Sequence, residues 1–142
     1  MDLSSYGIFD GLYGYVSAPA IDMKLPIYLG ANEYNMSMGA AHLCFTSLPI
    51  GGTGTNCVLS GHNGYIGRTF FDYIPNLSIG DSVTLTNYWN TLNYKVIKTF
   101  TRKDNEVEEI FIDDNKDLLS MFTCYREDGI KKRFYVVCER CV

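Results

Sequence analysis

Leu92, Tyr94 and Val96 alternate with Asn93 and Lys95. A repeat of two puts the first three side chains on one face and the other two on the opposite face, the pattern of a half-buried strand. Other segments rich in aliphatic or aromatic residues recur along the chain, broken by Gly, Pro, Asn and Asp. They are Tyr13 to Ile21, Ile27 to Leu29, Cys57 to Ser60, Ser82 to Thr86, Val107 to Ile112, Leu118 to Cys124 and Arg133 to Cys141. Pro19 marks the first as an edge or bulge position, because proline cannot donate to a ladder. Asn32 to Met38 predicts one or two helical turns, with Asn32 as N-cap and Gly39 as the stop. Phe70 to Leu77 predicts a short helix halted near Pro75, and Asn76 to Asp81 a turn. Tyr125 to Lys132 reads as a polar loop. About eight short strands with few helical turns predict a mainly β fold, a small mixed barrel or sandwich.

At 142 residues the chain is expected to form one domain spanning 1–142, with room for an N-terminal extension at 1–12. Hydrophobic residues make up 46% and charged residues 20%, which supports a packed core. The net charge is −4 and there is no Lys/Arg run, so nucleic acid is not an expected partner. No apolar run approaches the roughly 18 residues that span a bilayer. Met1 to Tyr6 lacks a signal-peptide pattern, which leaves a cytosolic protein or a soluble domain separated from its anchor.

Five cysteines are present, an odd number, so at least one thiol is free or pairs between chains. Cys138 and Cys141 form a lone C-x-x-C with no further zinc ligands nearby, and on a strand they would point to opposite faces. Four of the five are expected to be buried inert thiols. The acidic run from Asp104 to Asp117, with Glu106, Glu108, Glu109, Asp113 and Asp114, is broken by Lys116 and reads as a solvated face. No metal or other cofactor is expected.

The chain has two histidines. His62 lies between Gly61 and Asn63-Gly64 after a short strand. Cys124 closes an apolar strand. A thiolate nucleophile, an imidazole that manages protons and an arginine that stabilises an oxyanion together suit acyl transfer.

The order of motifs carries more information. Leu25-Pro26-Ile27-Tyr28-Leu29-Gly30 precedes Gly39-Ala-Ala-His42-Leu43. Thr46-Ser47-Leu48-Pro49-Ile50-Gly51-Gly52 and Val58-Leu59-Ser60-Gly61-His62-Asn63-Gly64 follow. Then come Phe70-Phe71, Leu77-Ser78-Ile79-Gly80-Asp81, Met121-Phe122-Thr123-Cys124 and Arg133-Phe134-Tyr135-Val136-Val137. From about Gly14 onward this succession resembles the sortase family, and most closely the pilus-assembling class C. The resemblance implies a closed eight-stranded sortase-type β-barrel with a few short helices. It implies catalytic positions at His62, Cys124 and Arg133, with Arg126 and Arg140 as the competing arginines. His42 matches a family position that is structural rather than catalytic.

The sequence departs from the class C pattern in several places. Asn63 stands where an arginine is usual, and Phe122 where a smaller residue is common. Tyr125 to Lys132 is more like the charged tail of class B. No aspartate-proline-aromatic lid motif lies before Tyr13.

The implied reaction is a two-step transpeptidation on an LPxTG-like sorting signal. The acyl acceptor would be a pilin lysine or a peptidoglycan cross-bridge amine, and the enzyme would work on the outer face of a Gram-positive membrane, with its anchor absent from this chain. Two rivals are a cysteine hydrolase and a non-catalytic sortase-like domain that binds pilin or surface-protein peptides.

Overall fold

A computed structural model describes residues 12–30, 32–43, 46, 51–64, 67–103 and 115–141. The strands are β1 (Leu12–Ala18), β2 (Met23–Leu29), β3 (Ala40–His42), β4 (Thr55–Ser60), β5 (Ser82–Asn87), β6 (Thr91–Lys103), β7 (Asp117–Glu127) and β8 (Ile130–Arg140), and the helix is α1 (Glu33–Met36). They close into a barrel in the order β1-β2-β3-β4-β7-β8-β6-β5, with β5 pairing back onto β1. Closure removes the free sheet edges that a small β protein would otherwise expose. The fold is therefore the mainly β, closed eight-stranded barrel that the resemblance implied.

Val16, Ile27, Leu59, Val83, Leu85, Met121 and Val136 fill the interior, all fully buried. Leu92, Tyr94 and Val96 point inward while Asn93 and Lys95 face solvent, as their alternation requires. The register of β6 on β8 shifts between Val96 and Lys98. Such a shift adds one residue to one strand, and bends and twists it locally.

Several boundaries differ from the sequence reading. Pro19 opens a 3-10 turn (Pro19–Ile21) that ends β1 at Ala18, instead of lying within a strand. Its fixed φ suits the first position of such a turn. Pro75 likewise lies inside the 3-10 turn Ile74–Asn76, where its missing N–H is not needed, and does not halt a longer helix. Asn32 caps α1 as expected, its side chain accepting from the Asn35 amide at 2.8 Å. The helix ends on Ser37, not Gly39. Gly39 is required for another reason: a Cβ there would collide with the Pro26 carbonyl.

The largest difference concerns the polar segment Tyr125 to Lys132. It is no loop but the two arms of a hairpin, with Glu127 paired to Ile130 around Asp128-Gly129. Both turn residues have positive φ, 52° and 77°, the geometry that favours Asp-Gly in a two-residue hairpin. Lys132 and Glu127 bridge the arms at 3.5 Å. The strand expected at Val107 to Ile112 and most of the acidic run, through Asp114, lie outside the described residues. No described helix is long and apolar enough to cross a membrane.

Candidate active site

β7 is flanked by β4 on one side and β8 on the other. Its antiparallel register with β8 puts Cys124 directly opposite Arg133. Directly opposed residues share a face, with Cβ atoms about 4.5–5.5 Å apart. Both side chains are half-buried. β4 runs parallel to β7, with Ser60 level with Phe122. The pairing continues past the end of β4: the Gly61 amide donates to the Phe122 carbonyl at 3.2 Å. Thr123 Oγ1 donates to the Gly61 carbonyl at 2.7 Å. His62 is the next residue after Gly61, so it follows directly on the segment bonded to Phe122 and Thr123 of β7.

Thr123, one residue before Cys124, is fully buried on the other face of β7. Its hydroxyl orients the strand end that carries His62, in keeping with the packing or orienting role that the alternation of faces suggests. Phe122 has a clear role too. Its ring packs against Tyr135, with centroids 5.2 Å apart, and Tyr135 stacks on Phe100 at 4.8 Å. The Arg133 guanidinium lies over the Phe122 ring at 5.1 Å. Phe122 is therefore a floor for Arg133, and the attraction of the cation for the ring face holds the fork beside Cys124.

The competing arginines lie elsewhere. Arg140 pairs with Asp117 at 3.3 Å at the open end of the β7–β8 hairpin, away from Cys124. Asp117 also accepts from the Gly52 amide at 2.8 Å, which ties the approach to β4 to the same carboxylate. Arg126 is exposed, with Nη1 3.5 Å from the Gly129 carbonyl in the hairpin turn. His42 is buried, and its Nε2 is 3.1 Å from Thr46 Oγ1. Because that hydroxyl donates to the Leu43 carbonyl and accepts from the Val58 amide, His42 serves as the donor to it. It is part of the fold's hydrogen bonding, as expected. Asn63 is exposed.

The loop after His62 is tied down at several points. The His62 carbonyl accepts from the Phe71 amide at 3.0 Å. Phe71 is fully buried against Gly61, where a Cβ would come within 2.5 Å of its ring. Gly61→Ala is therefore expected to destabilise the protein by about 2 kcal/mol, since the ring has nowhere to go. Thermal unfolding would measure this, and Gly61→Ala combined with Phe71→Leu should recover part of the loss. The Asp72 carboxylate accepts from the Gly64 amide at 2.7 Å and from the Phe70 amide at 2.8 Å. Sequence reasoning missed Asp72: the Phe70 amide is only two residues away, but its other partner, Gly64, is brought to it only by the fold.

None of the four described cysteines forms a disulfide. Cys57 and Cys138 are buried as expected, whereas Cys141 is half-buried and Cys44 lies outside the described residues. Burial drives the Cys57 thiol well above its usual range, and the Asp117 charge adds to this. Burial pushes Cys138 up to about 12, with a further contribution from Cys141. A raised thiol pKa means a neutral, unreactive sulfur at mildly alkaline pH. Iodoacetamide at about pH 8, near an ordinary thiol pKa, should label Cys124 in the folded protein and reach Cys57 and Cys138 only after denaturation. Peptide mapping by mass spectrometry checks this. Among the described residues, no group of three or more His, Cys, Asp or Glu side chains is placed to hold a metal ion.

A closed barrel whose β7–β8 register sets a thiol across from a guanidinium, with a histidine just past the end of the adjoining β4, defines a class of protein in which acyl transfer through a thioester is chemically available. The sortase domain model matches residues 16–141, and the chain belongs to the sortase family. It is 31% identical to sortase A of Listeria monocytogenes over 131 residues, covering 92% of this chain and 57% of that protein. Among solved structures, the group B Streptococcus pilus island 1 sortase C2 superposes with a TM-score of 0.91 at 30% identity, covering all of this chain and 81% of that one. A lid mutant of sortase A from Corynebacterium diphtheriae gives 0.90 at 30% identity, covering 99% and 75%. The chain spans a little over half the length of the curated relatives it matches.

Proposed function

We propose that this chain carries the transpeptidase site of a sortase, with Cys124 as nucleophile, His62 as the proton-handling group and Arg133 as the oxyanion or substrate-backbone donor. The observation that carries this reading is the register that sets Arg133 across from Cys124, supported by the bonds from β7 to Gly61, the residue before His62. The Cys124 thiolate attacks the Thr–Gly carbonyl carbon of an LPxTG-like peptide. The tetrahedral oxyanion collapses, the C–N bond breaks, and His62 gives its proton to the departing glycine amine. A thioester remains on Cys124. An incoming amine attacks it, passes a proton to His62, and releases the thiolate as the C–S bond breaks. Arg133 donates to the oxyanion in both steps.

For the acceptor we favour a pilin lysine, because the motif succession is most like class C and the sortase C2 structure covers the whole chain. The likeness to Listeria sortase A supports a second reading, with a peptidoglycan cross-bridge amine as acceptor. Both place the enzyme on the outer face of a Gram-positive membrane. Intact-protein mass spectrometry with an LPxTG-type peptide tests the reading. A thioester adduct that is discharged faster by a lysine peptide than by oligoglycine supports the pilin acceptor, and the reverse preference supports the cross-bridge. Discharge by water alone, unaffected by either amine, would make the protein a hydrolase. An intact, folded protein that never forms the adduct would favour a sortase-like binding domain.

A further inference from the structure

The polypeptide leaves β4 through Gly61, His62 and Gly64 on one arm, and a second arm runs from Gly67 to Phe70; Gly64 and Gly67 both have positive φ (76° and 80°). Glycine allows many conformations, so the position of His62 depends on what holds the two arms, beginning with its own carbonyl, which accepts from the Phe71 amide at 3.0 Å. On the barrel side, the Gly61 amide and carbonyl are held by β7. On the other side, the Asp72 carboxylate uses one oxygen for the Gly64 amide on the outgoing arm and the other for the Phe70 amide on the returning arm. Hydrogen bonds to an ionised acceptor are roughly twice as strong as neutral ones. Phe70 is also the aromatic neighbour of His62, with ring centroids 6.4 Å apart and planes tilted by 51°. One carboxylate thus bonds the backbone two residues after His62 and the backbone of the residue whose ring neighbours its imidazole.

We propose that Asp72 is a positioning residue for His62: its two-oxygen clamp on Gly64 and Phe70 sets where the imidazole stands relative to Cys124. The inference rests on the transpeptidase reading of His62. Asp72 touches no reacting atom, so its loss acts on the rate of proton handling and not on binding of the sorting peptide. A displacement of about 1 Å in a reacting group can cost on the order of 100-fold in rate.

The test compares wild type, Asp72→Asn, Asp72→Ala, His62→Ala and His62→Ala/Asp72→Asn. Rates of acylation by an LPxTG-type peptide are read by intact mass, alongside thermal unfolding and the His62 ring signals in nitrogen-edited NMR. Asp72→Ala is expected to lower kcat by about 10- to 100-fold with KM for the peptide near wild type. Asp72→Asn keeps one acceptor oxygen and should fall between, which also decides the matter if Asp72→Ala does not fold. In the His62→Ala background the Asp72 change should add no further loss. Losses that multiply in the double variant, or a lowered melting temperature with wild-type kcat per folded molecule, would overturn the proposal. If wild type forms no acyl-enzyme, the transpeptidase reading fails separately and the ring signals decide. Broadened or doubled His62 signals in Asp72→Asn support the clamp, and unchanged signals overturn it.

Discussion

Cys124→Ala is expected to abolish formation of the peptide thioester and to lower transpeptidation by at least about 10⁴-fold, since it removes the sulfur proposed to carry the covalent intermediate. The other described cysteines do not substitute for it. Cys57 and Cys138 are buried with raised thiol pKa values, and Cys141 follows the end of β8, beyond Arg140. The fold should survive. Cys124 is half-buried, and the β7–β8 register on either side of it is held by backbone pairing and by the Phe122–Tyr135 contact. The variant loses one sulfur atom, a change of about 1 kcal/mol or less in stability. Intact mass after incubation with an LPxTG-type peptide, with circular dichroism to confirm folding, makes the measurement. A Cys124→Ala protein that still turned over at the wild-type rate would remove Cys124 from the mechanism.

Arg133→Ala should lower kcat/KM by about 10²- to 10³-fold, the usual effect of deleting one oxyanion donor. Arg133→Lys should recover only part of that loss. The charge is kept, but a lysine ammonium cannot lie flat on the Phe122 ring or present two parallel donors to a carbonyl oxygen and its neighbour. The other arginines provide the contrast. Arg126→Ala should leave both rate and stability near wild type, because its side chain is exposed in the hairpin arm. Arg140→Ala should lower stability by about 1 kcal/mol, through loss of a charged partner for Asp117, and leave the rate per folded molecule unchanged. Steady-state kinetics and thermal unfolding on the four variants separate these effects. Equal rate losses in Arg133→Ala and Arg126→Ala would mean that net charge, not the placement of Arg133 across from Cys124, matters.

Much of the fold class and the family could be read from the linear chain. The alternation at Leu92 to Val96 needs a half-buried strand, and β6 uses those residues that way. The order of motifs around His62, Cys124 and Arg133 was enough to bring out the family. Boundaries were harder where alternation fails. β7 is buried on both faces from Leu118 to Thr123, so its polar continuation from Tyr125 onward looked like a loop, although Asp128-Gly129 was a legible hairpin signal.

The sequence by itself determined the kinds of residue available: strand-forming stretches, a thiol, an imidazole, three candidate arginines and the glycines at which the chain turns. Which arginine stands across from the thiol, and what holds the imidazole loop, were decided only by the tertiary structure. The reason is physical. Strand pairing joins residues nine positions apart, as with Cys124 and Arg133, or about sixty apart, as with Ser60 and Phe122. A one-residue slip in either ladder would turn the side chains to the opposite face. That register is fixed by the simultaneous burial of Met121, Leu59 and Val136 in one interior, and no local stretch of sequence contains all three.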